Sequence, residues 1–406
     1  MEVNTINYKE IAIKYQTPYY VYDFDHITKQ YSELKDAFKA RKSLMAYAVK
    51  ANSNLSVIKH LGDQGSGADC VSIGEVKRAL KAGVPKYKII FSGVGKIDDE
   101  IREALSLNIL MINIESEAEL HRVALLAKEL EKIARISIRV NPNVDPKTHP
   151  YISTGLHENK FGVDLNTAKR MYIFAKNNEN IDPVGIHCHI GSQLTELAPI
   201  KESVNIVADL VRNLKLALNI ELSFFDIGGG LGIVYDDEML IDTYLYAQVV
   251  LDALFGLDVT VICEPGRFIV GNSGTFVTKV LYEKTNGSKR FVIVDGGMND
   301  LIRPSLYNAY HRIEVLEKTE NKSNCNVVGP VCESGDFFAK NIKLPQTEHN
   351  DLLAIYSAGA YGFTMSSNYN TRGKVTEIAF ENGETRLIRR RETFEDLIAH
   401  EEEYLK

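Results

Sequence analysis

An apolar run that ends in a lysine is the first feature of this sequence with chemical potential. The run is LMAYAVK (44–50), and AN follows it. At the end of a buried strand the Lys50 ammonium would lose water, which lowers its pKa and leaves a nucleophilic amine. The alternative is a structural lysine whose apolar stem is buried while its ammonium reaches solvent.

A pair of histidines occurs in HCHIGS (187–192). The period of two in a strand predicts that His187 and His189 lie on one face. Such a pair could bind a metal, but a third ligand is needed and no recognised zinc pattern lies nearby. We therefore expect no metal site, with one histidine structural and the other lying flat against a planar ligand.

Two further segments carry glycines and charges directly after predicted strands. In DIGGGLG (226–232) the backbone N–H groups could close around a phosphate; the alternative is a tight turn that holds three glycines without binding anything. In CEPGR (263–267), Glu264 could hold a protonated ring nitrogen and Arg267 a phosphate or a carboxylate; a turn bounded by an ion pair is the alternative. A lysine, a flat histidine, a phosphate cradle and a carboxylate are together what pyridoxal phosphate requires.

The elements that must position these residues are short apolar runs alternating with amphipathic helical stretches. The predicted strands are 44–50, 67–72, 88–93, 110–114, 135–141, 184–191, 224–230 and 259–266. Apolar runs without alternation are typical of parallel strands covered on both faces. About eight such units fit a (β/α)₈ barrel, although an open doubly wound sheet has the same alternation. Polar residues at the strand ends, including Asp69 and Asn141, favour the barrel.

The pattern changes after residue 266. Strand-like segments joined by glycine and asparagine turns replace the helical period, which returns only in ETFEDLIAHEEEYL near the C-terminus. We predict a barrel over 26–266 and a mainly β domain over 267–406. The aromatic, β-branched segment PYYVYDFD, within residues 1–25, is expected to supply a strand to that β domain.

Composition excludes several classes of protein. The 406 residues carry 47 basic and 54 acidic side chains, a net charge of −7 with no basic block, which argues against nucleic-acid binding. No apolar run approaches the roughly 20 residues of a membrane helix, and the polar N-terminus is not typical of a signal peptide. Five scattered cysteines indicate reduced thiols, so we expect a cytoplasmic protein.

Seven motifs, in order, resemble those of the diaminopimelate decarboxylase family, in the alanine-racemase-like class of pyridoxal-phosphate decarboxylases. They are YAVKAN, HIGSQ, DIGGGLG, EPGR, RPSLYNAYH, CESGD and GAYGFTMSSNYN. The resemblance runs from about residue 18 to about residue 375. It implies an N-terminal (β/α)₈ barrel, a C-terminal β domain that also takes the first strand, bound pyridoxal 5′-phosphate, and a homodimer with shared active sites. The implied reaction converts meso-2,6-diaminopimelate to L-lysine and CO₂, the last step of lysine biosynthesis.

The resemblance also implies a role for individual residues. Lys50 resembles the lysine that holds the cofactor covalently, His189 the residue stacked on its ring, and Glu264 the partner of the ring nitrogen. Cys332 resembles the proton donor and Glu333 the site for the far ammonium, both reaching in from the other subunit. The remaining cofactor residues are Asp69, Ser192, Gly228, Gly229, Gly230, Pro265, Gly266, Arg267 and Tyr361. The remaining substrate residues are Arg267, Arg303, Tyr307 and Tyr361.

One stretch departs from the family pattern. TRGK (371–374) stands where many relatives have R-P-R, and we expect it to lead into the last strands without touching catalysis. The competing functions are an ornithine, arginine or carboxynorspermidine decarboxylase of the same class, or a catalytically inactive regulatory protein of this fold. Arg303 and Tyr307 argue against the first, and the presence of Lys50 and Cys332 argues against the second.

Overall fold

Eight of the apolar runs form a closed parallel barrel, which confirms the predicted fold class. The computed structural model describes residues 5–145 and 160–405. The barrel strands, in both chain order and spatial order, are β2 (Ser43–Ala48), β3 (Gly67–Cys70), β4 (Ile89–Phe91), β5 (Met111–Ile114), β6 (Ala134–Arg139), β7 (Ile181–His187), β8 (Phe224–Asp226) and β9 (Thr260–Cys263). Strand β9 pairs with β2 and closes the ring.

Amphipathic helices connect the strands. They are α2 (Phe24–Ala37), α3 (Leu55–Asp63), α4 (Ile73–Lys81), α5 (Asp98–Leu107), α6 (Glu117–Glu129), α7 (Leu165–Lys176), α8 (Leu197–Leu218) and α9 (Thr243–Ala253). Side-chain caps set several of the starts: Ser72, Ser116 and Asp164 each accept a backbone N–H from the first turn of α4, α6 and α7. No helix among the described residues is both long and apolar enough to cross a membrane.

Large apolar side chains fill the interior of the barrel. Ala46, Ile90, Met111, Val184 and Ile262 form one buried cluster, contributed by five different strands. Because the interior is filled, ligands can reach the barrel only at its ends, and the polar residues that follow the strands lie at the C-terminal end.

A nine-stranded sheet forms the second compact unit. Its strands are β1 (Tyr19–Asp23), β10 (Gly274–Asn286), β11 (Lys289–Val294), β12 (Ile313–Val315), β13 (Ser323–Val328), β14 (Phe337–Leu344), β15 (Leu352–Ile355), β16 (Thr376–Glu381) and β17 (Glu384–Arg389). The main path runs β14-β13-β11-β10-β1-β16-β17, and β15 joins β10 to β12. This unit comprises Met1–Thr28, Val234–Glu238 and Ile269–Lys406, and the barrel unit comprises Lys29–Ile233 and Met239–Phe268.

The N-terminal strand joins the sheet as the family resemblance implied. In β1, Tyr19 lies opposite Val277 of antiparallel β10 and opposite Thr376 of parallel β16. Tyr19 and Val21 pack on Ile378, and all three side chains are fully buried. The burial of both faces explains why the segment is almost entirely aromatic and β-branched.

The structure also contains short helices that the sequence analysis did not predict. They are α1 (Tyr8–Tyr15), α10 (Arg267–Val270) and α11 (Arg303–Tyr307). At the C-terminus the expected helix is reduced to α12 (Phe394–Ile398) and one further turn. Helix α1 begins at an Asn7 cap and buries only Ile11, so its amphipathic signal is weak.

Candidate active site

Lys50 lies just beyond β2, within ion-pair distance of a buried carboxylate. The prediction that Lys50 belongs to the strand is wrong: β2 ends at Ala48, and Lys50 lies in a helical turn over Val49–Ala51. Its Nζ is 3.5 Å from Oδ2 of Asp69, and its side chain is 39% exposed whereas that of Asp69 is fully buried. The register explains the contact, because Ala48 of β2 lies opposite Asp69 of β3. Burial and the charge of Glu264 raise the pKa of Asp69, while Lys50 opposes that rise.

Glu264 belongs to a buried cluster with His187 and Asp226. His187 Nε2 is 3.3 Å from Glu264 Oε2. Each of the three side chains offers one atom that could bind a metal, and these three atoms lie within 4.8 Å of one another. Imidazole and carboxylate groups also bind metals, whereas the sequence predicts no metal site here. Asp226 Oδ1 accepts the N–H of Gly228 at 2.9 Å, and the buried carboxyl groups of Asp226 and Glu264 are hydrogen-bonded to each other.

The pKa values of the two carboxyl groups in this cluster are shifted in opposite directions. Burial and the adjacent Glu264 raise the pKa of Asp226 well above its usual range. Burial would also raise the pKa of Glu264, but His187 and Lys50 outweigh it and hold that pKa well below its usual range. Asp226 therefore carries the proton that the pair shares, and Glu264 is an anion at neutral pH.

The glycines after β8 allow three backbone segments to approach closely. A Cβ on Gly228, where φ is +66°, would lie 2.8 Å from the Cβ and Nδ1 of His189. A Cβ on Gly229 would lie 2.2 Å from the carbonyl oxygen of Glu264. The Glu264 N–H donates to the Gly228 carbonyl at 2.7 Å, so only glycine fits between these segments.

Ser192 and Arg267 meet beside this turn. Arg267 donates to Ser192 Oγ from Nε at 3.3 Å and from Nη2 at 3.1 Å. Ser192 is held there because Leu194 N–H donates to the Gly230 carbonyl at 2.8 Å, so the loop after β7 runs beside the loop after β8. The Ser192 hydroxyl, the Arg267 guanidinium and backbone groups of the two loops therefore lie close together. Such an arrangement suits a bound anion.

His189 lies outside the strand that was expected to contain it. Strand β7 ends at His187, so the predicted placement of both histidines on one strand face is wrong. Instead, His189 is in the following loop, against Gly228. Desolvation of the ring lowers the pKa of His189 well below its usual value, and the positive charges of Arg139 and Lys50 lower it further. The imidazole is therefore neutral.

Arg303 of the β-sheet unit is buried between two uncharged rings. Its Nη1 is 3.0 Å from His311 Nε2, and its guanidinium lies 4.9 Å from the centre of the Tyr235 ring. His311 Nδ1 is 2.9 Å from the Tyr356 carbonyl oxygen. That contact requires the proton on Nδ1, so Nε2 accepts from Arg303 and the arginine keeps its full positive charge.

The other predicted residues of this unit lie on its loops. Cys332 is exposed, and its N–H donates to Asn370 Oδ1 at 2.8 Å. Glu333 is also exposed, and Tyr307 is half-buried at the end of α11. Tyr361 has a φ of +57°, a conformation that is rare and costly for a bulky side chain. Such strain is common at functional sites, which supports a functional interpretation of Tyr361.

Sequence reasoning missed several polar residues at the C-terminal end of the barrel. Asp226 was part of a quoted motif, and its position at the end of β8 was the signal that could have identified it. Ser92 and Asn113 were not considered, although both lie at the ends of apolar strands and are almost completely buried. The predicted barrel residues do come together at this end, whereas Arg303, Tyr307, Cys332, Glu333 and Tyr361 belong to the sheet unit.

Comparison with known proteins gives consistent matches. Residues 24–271 match a family described as the pyridoxal-binding domain of pyridoxal-dependent decarboxylases. The chain is 60% identical to a diaminopimelate decarboxylase of Campylobacter jejuni over 402 residues, covering 99% of this chain and all of that protein. It is 46% identical to the enzyme of the same name from Aquifex aeolicus, covering 98% of this chain and 94% of that one.

Solved structures show the same fold. The crystal structure of diaminopimelate decarboxylase from Helicobacter pylori, complexed with L-lysine, has a TM-score of 0.95 and 55% identity, covering 98% of this chain and all of that one. A lysine/ornithine decarboxylase from Vibrio vulnificus shares the fold at a TM-score of 0.82, with 24% identity over 93% of this chain and 98% of that one.

Proposed function

We propose that this chain, which belongs to the family of pyridoxal-dependent diaminopimelate decarboxylases, removes the carboxylate at one end of meso-diaminopimelate to give L-lysine and CO₂. The observation that carries the proposal is the state of Glu264. It is a buried anion that His187 and Asp226 keep ionised, and it lies beside a turn that only glycine can form. An anion held in this way fits a ligand that brings its own positive N–H.

The residues at the end of the barrel fit pyridoxal phosphate. Glu264 Oε1 can accept the proton of the ring nitrogen, and neutral His189 can lie against the ring. The backbone of Gly228–Gly230, with Ser192 and Arg267, can hold the phosphate. Pro265 and Gly266 are buried in the segment that links Glu264 to Arg267, so they fix the spacing between the ring site and the phosphate site.

Pyridoxal phosphate, when bound, supplies an electron sink for the charge that CO₂ leaves behind on the substrate. Lys50 would hold the cofactor covalently through Nζ and would be displaced from it when substrate binds. The Asp69 carboxylate, 3.5 Å away, can then stabilise the displaced lysine as an ammonium. Lys50 thus remains next to the reacting centre and is available to release the product.

Glu264 would keep the proton on the ring nitrogen of a bound cofactor. A carboxylate does this only while its own pKa stays low, and burial alone would raise that pKa. His187 and protonated Asp226 counter the effect of burial, because both stabilise the Glu264 anion. The buried cluster would therefore keep Glu264 ionised while it holds that proton.

Residues of the β-sheet unit are proposed to recognise the far end of the substrate. Diaminopimelate carries a second carboxylate that ornithine lacks, and Arg303 and Tyr307, with Arg267, supply donors for it. An amine at that position would bring a second positive charge next to the Arg303 guanidinium, and such like-charge contacts are costly. Tyr361 would contact both cofactor and substrate.

We further propose that the enzyme is a cytoplasmic homodimer in which each subunit completes the other's site. Cys332 would donate the proton that replaces CO₂, and Glu333 would bind the far ammonium group, both in the partner's site. Their exposure supports this role, because a residue that reaches into another subunit must be accessible on its own.

The test is release of CO₂ from carboxyl-labelled meso-diaminopimelate, ornithine, arginine and lysine by the purified holoenzyme. We expect turnover of diaminopimelate alone and its loss in Lys50→Ala. The matched control is Lys59→Ala, which removes a surface lysine paired with Asp63 on α3. Preference for a basic amino acid would overturn the substrate assignment. A wild-type protein without cofactor absorbance or turnover would overturn the enzymatic function.

A further inference from the structure

A chain of buried polar side chains crosses three neighbouring barrel strands and ends at Lys50. Ser92, just after β4, donates from Oγ to Asp69 Oδ1 at 2.7 Å. Asn113 of β5 donates from Nδ2 to Ser92 Oγ at 3.0 Å. The exposed fractions of Asp69, Ser92 and Asn113 are 0%, 5% and 0%. Such polar atoms are costly to bury unless they are satisfied, so this arrangement requires an explanation beyond packing.

The direction of the hydrogen bonds is fixed by chemistry. An amide nitrogen only donates, so Asn113 occupies a lone pair of Ser92 Oγ, and the single hydroxyl proton of Ser92 goes to Asp69. A donor aimed at a carboxylate favours its ionised form. The two residues together therefore oppose the neutralisation of Asp69 that burial would otherwise cause.

The far end of the chain is anchored by a second buried charge. The backbone carbonyl of Asn113 accepts from Lys96 Nζ at 2.7 Å. Lys96 is also bonded to Glu119 at 2.7 Å, and the two side chains are only 1% and 11% exposed. This ion pair fixes the backbone from which Asn113 projects, so the donor to Ser92 has little freedom to move.

The second oxygen of Asp69 is the one that faces Lys50. Oδ2 lies 3.5 Å from Lys50 Nζ and has no hydrogen-bond partner among the described residues. With Oδ1 held by Ser92, rotation of the carboxylate is restricted and Oδ2 stays directed at the lysine. The geometry thus links Asn113, through two side chains, to the position and charge of the lysine nitrogen.

We propose that Ser92 and Asn113 are positioning residues for Lys50: they hold Asp69 as an oriented anion that receives the Lys50 ammonium whenever the lysine is displaced. This rests on the proposed function only in the role given to Lys50. Within the hydrogen-bond chain, neither Ser92 nor Asn113 is among the residues proposed to contact cofactor or substrate. Its effect is transmitted through Asp69, so removing Asp69 must abolish it.

The first test measures Lys50 directly in the full-length protein freed of cofactor. Trace acetylation with acetic anhydride at a series of pH values, followed by mass spectrometry of the Lys50 peptide, gives the pKa of this amine. The titratable groups that interact with Asp69 or Lys50, and that stay constant across the variants, are Cys70, Glu75, His187, His189, Asp226 and Glu264.

We expect Ser92→Ala to lower the labelling midpoint of Lys50 by about one pH unit, because a neutralised Asp69 no longer favours the ammonium. Asn113→Ala should shift it in the same direction by less. Asp69→Asn should lower it at least as much as Ser92→Ala, and adding Ser92→Ala to that variant should change nothing further. The matched control is Ser137→Ala on β6, whose buried hydroxyl has no hydrogen-bond partner among the described residues.

A wild-type midpoint in a folded Ser92→Ala or Asn113→Ala variant would overturn the proposal, and so would a shift that persists in the Asp69→Asn background. If Ser92→Ala does not fold, the Asn113→Ala pair with and without Asp69→Asn decides the question. In the holoenzyme, we expect Ser92→Ala to lower kcat about tenfold with KM little changed. Failure of the proposed function is distinguishable, because it would appear as absent turnover in the wild type with the labelling shifts intact.

Discussion

Adding a single methyl group at Gly229 should disable the cofactor site without removing any functional side chain. In Gly229→Ala the new Cβ would lie 2.2 Å from the Glu264 carbonyl oxygen, whereas such contacts essentially never fall below 3.0 Å. The two segments must therefore separate by about 0.8 Å, and the 2.7 Å hydrogen bond from Glu264 N–H to the Gly228 carbonyl lies at that same place. A misplacement of about 1 Å at a reacting group can cost about 100-fold in rate.

The assay compares kcat and the Kd for pyridoxal phosphate with those of Gly95→Ala. Gly95 is a suitable control because it lies on a loop of the same barrel, and a Cβ there meets nothing within 4 Å. We expect kcat to fall about 100-fold in Gly229→Ala, and the affinity for pyridoxal phosphate to fall more than that for pyridoxal, which lacks the phosphate. A folded Gly229→Ala variant that behaves like Gly95→Ala would refute the steric reasoning.

Three further predictions concern charged groups. Glu264→Gln should retain the cofactor but lower kcat about 100-fold or more, because an amide cannot keep the ring nitrogen protonated; near-normal turnover would make this carboxylate structural. Arg303→Ala should raise KM for diaminopimelate about 30-fold or more, from the roughly 2–5 kcal/mol of a desolvated charge pair; an early-melting variant with normal KM would instead assign Arg303 to stability. The Glu283 carboxylate accepts two hydrogen bonds from Arg290 and two from Thr347, and these lower its pKa to about 2. Its contribution to stability is therefore present at neutral pH and lost as the pH falls from about 4.5 towards 2, so Glu283→Gln should lower Tm at pH 7 but much less at pH 3. An equal loss of Tm at both pH values would contradict that account.

The barrel was predictable because its strands leave a strong local signal. A strand covered on both faces must be apolar throughout, and the runs around Met111 and Ile262 have that character. The end of a strand leaves a weaker signal: nothing local to HCHIGS indicates that pairing stops at His187, so His189 was assigned to the strand. Several of the missed elements are short, such as β12 (Ile313–Val315).

Contacts between strands were the least predictable part of the candidate site. Ser92 meets Asp69 only because of the register between β3 and β4, in which Asp69 lies opposite Ile90. Register is a property of the closed barrel rather than of either segment. The pairing of Asp226 with Glu264 likewise depends on the register between β8 and β9. The sequence contains both residues, but it does not indicate that they share a proton.

The interior position of β1 in its sheet determines the order in which the chain can fold during synthesis. Residues 19–23 leave the ribosome early, but one neighbour, β10, begins at Gly274 and the other, β16, at Thr376. At about 5–20 residues per second, the first strand waits at least roughly 12–50 s for a partner, while the barrel residues between them are completed. Throughout that time a segment destined for full burial has two unpaired edges. The first strand to be made is thus among the last to be placed, and a nascent chain stalled before residue 274 carries an aggregation-prone N-terminus.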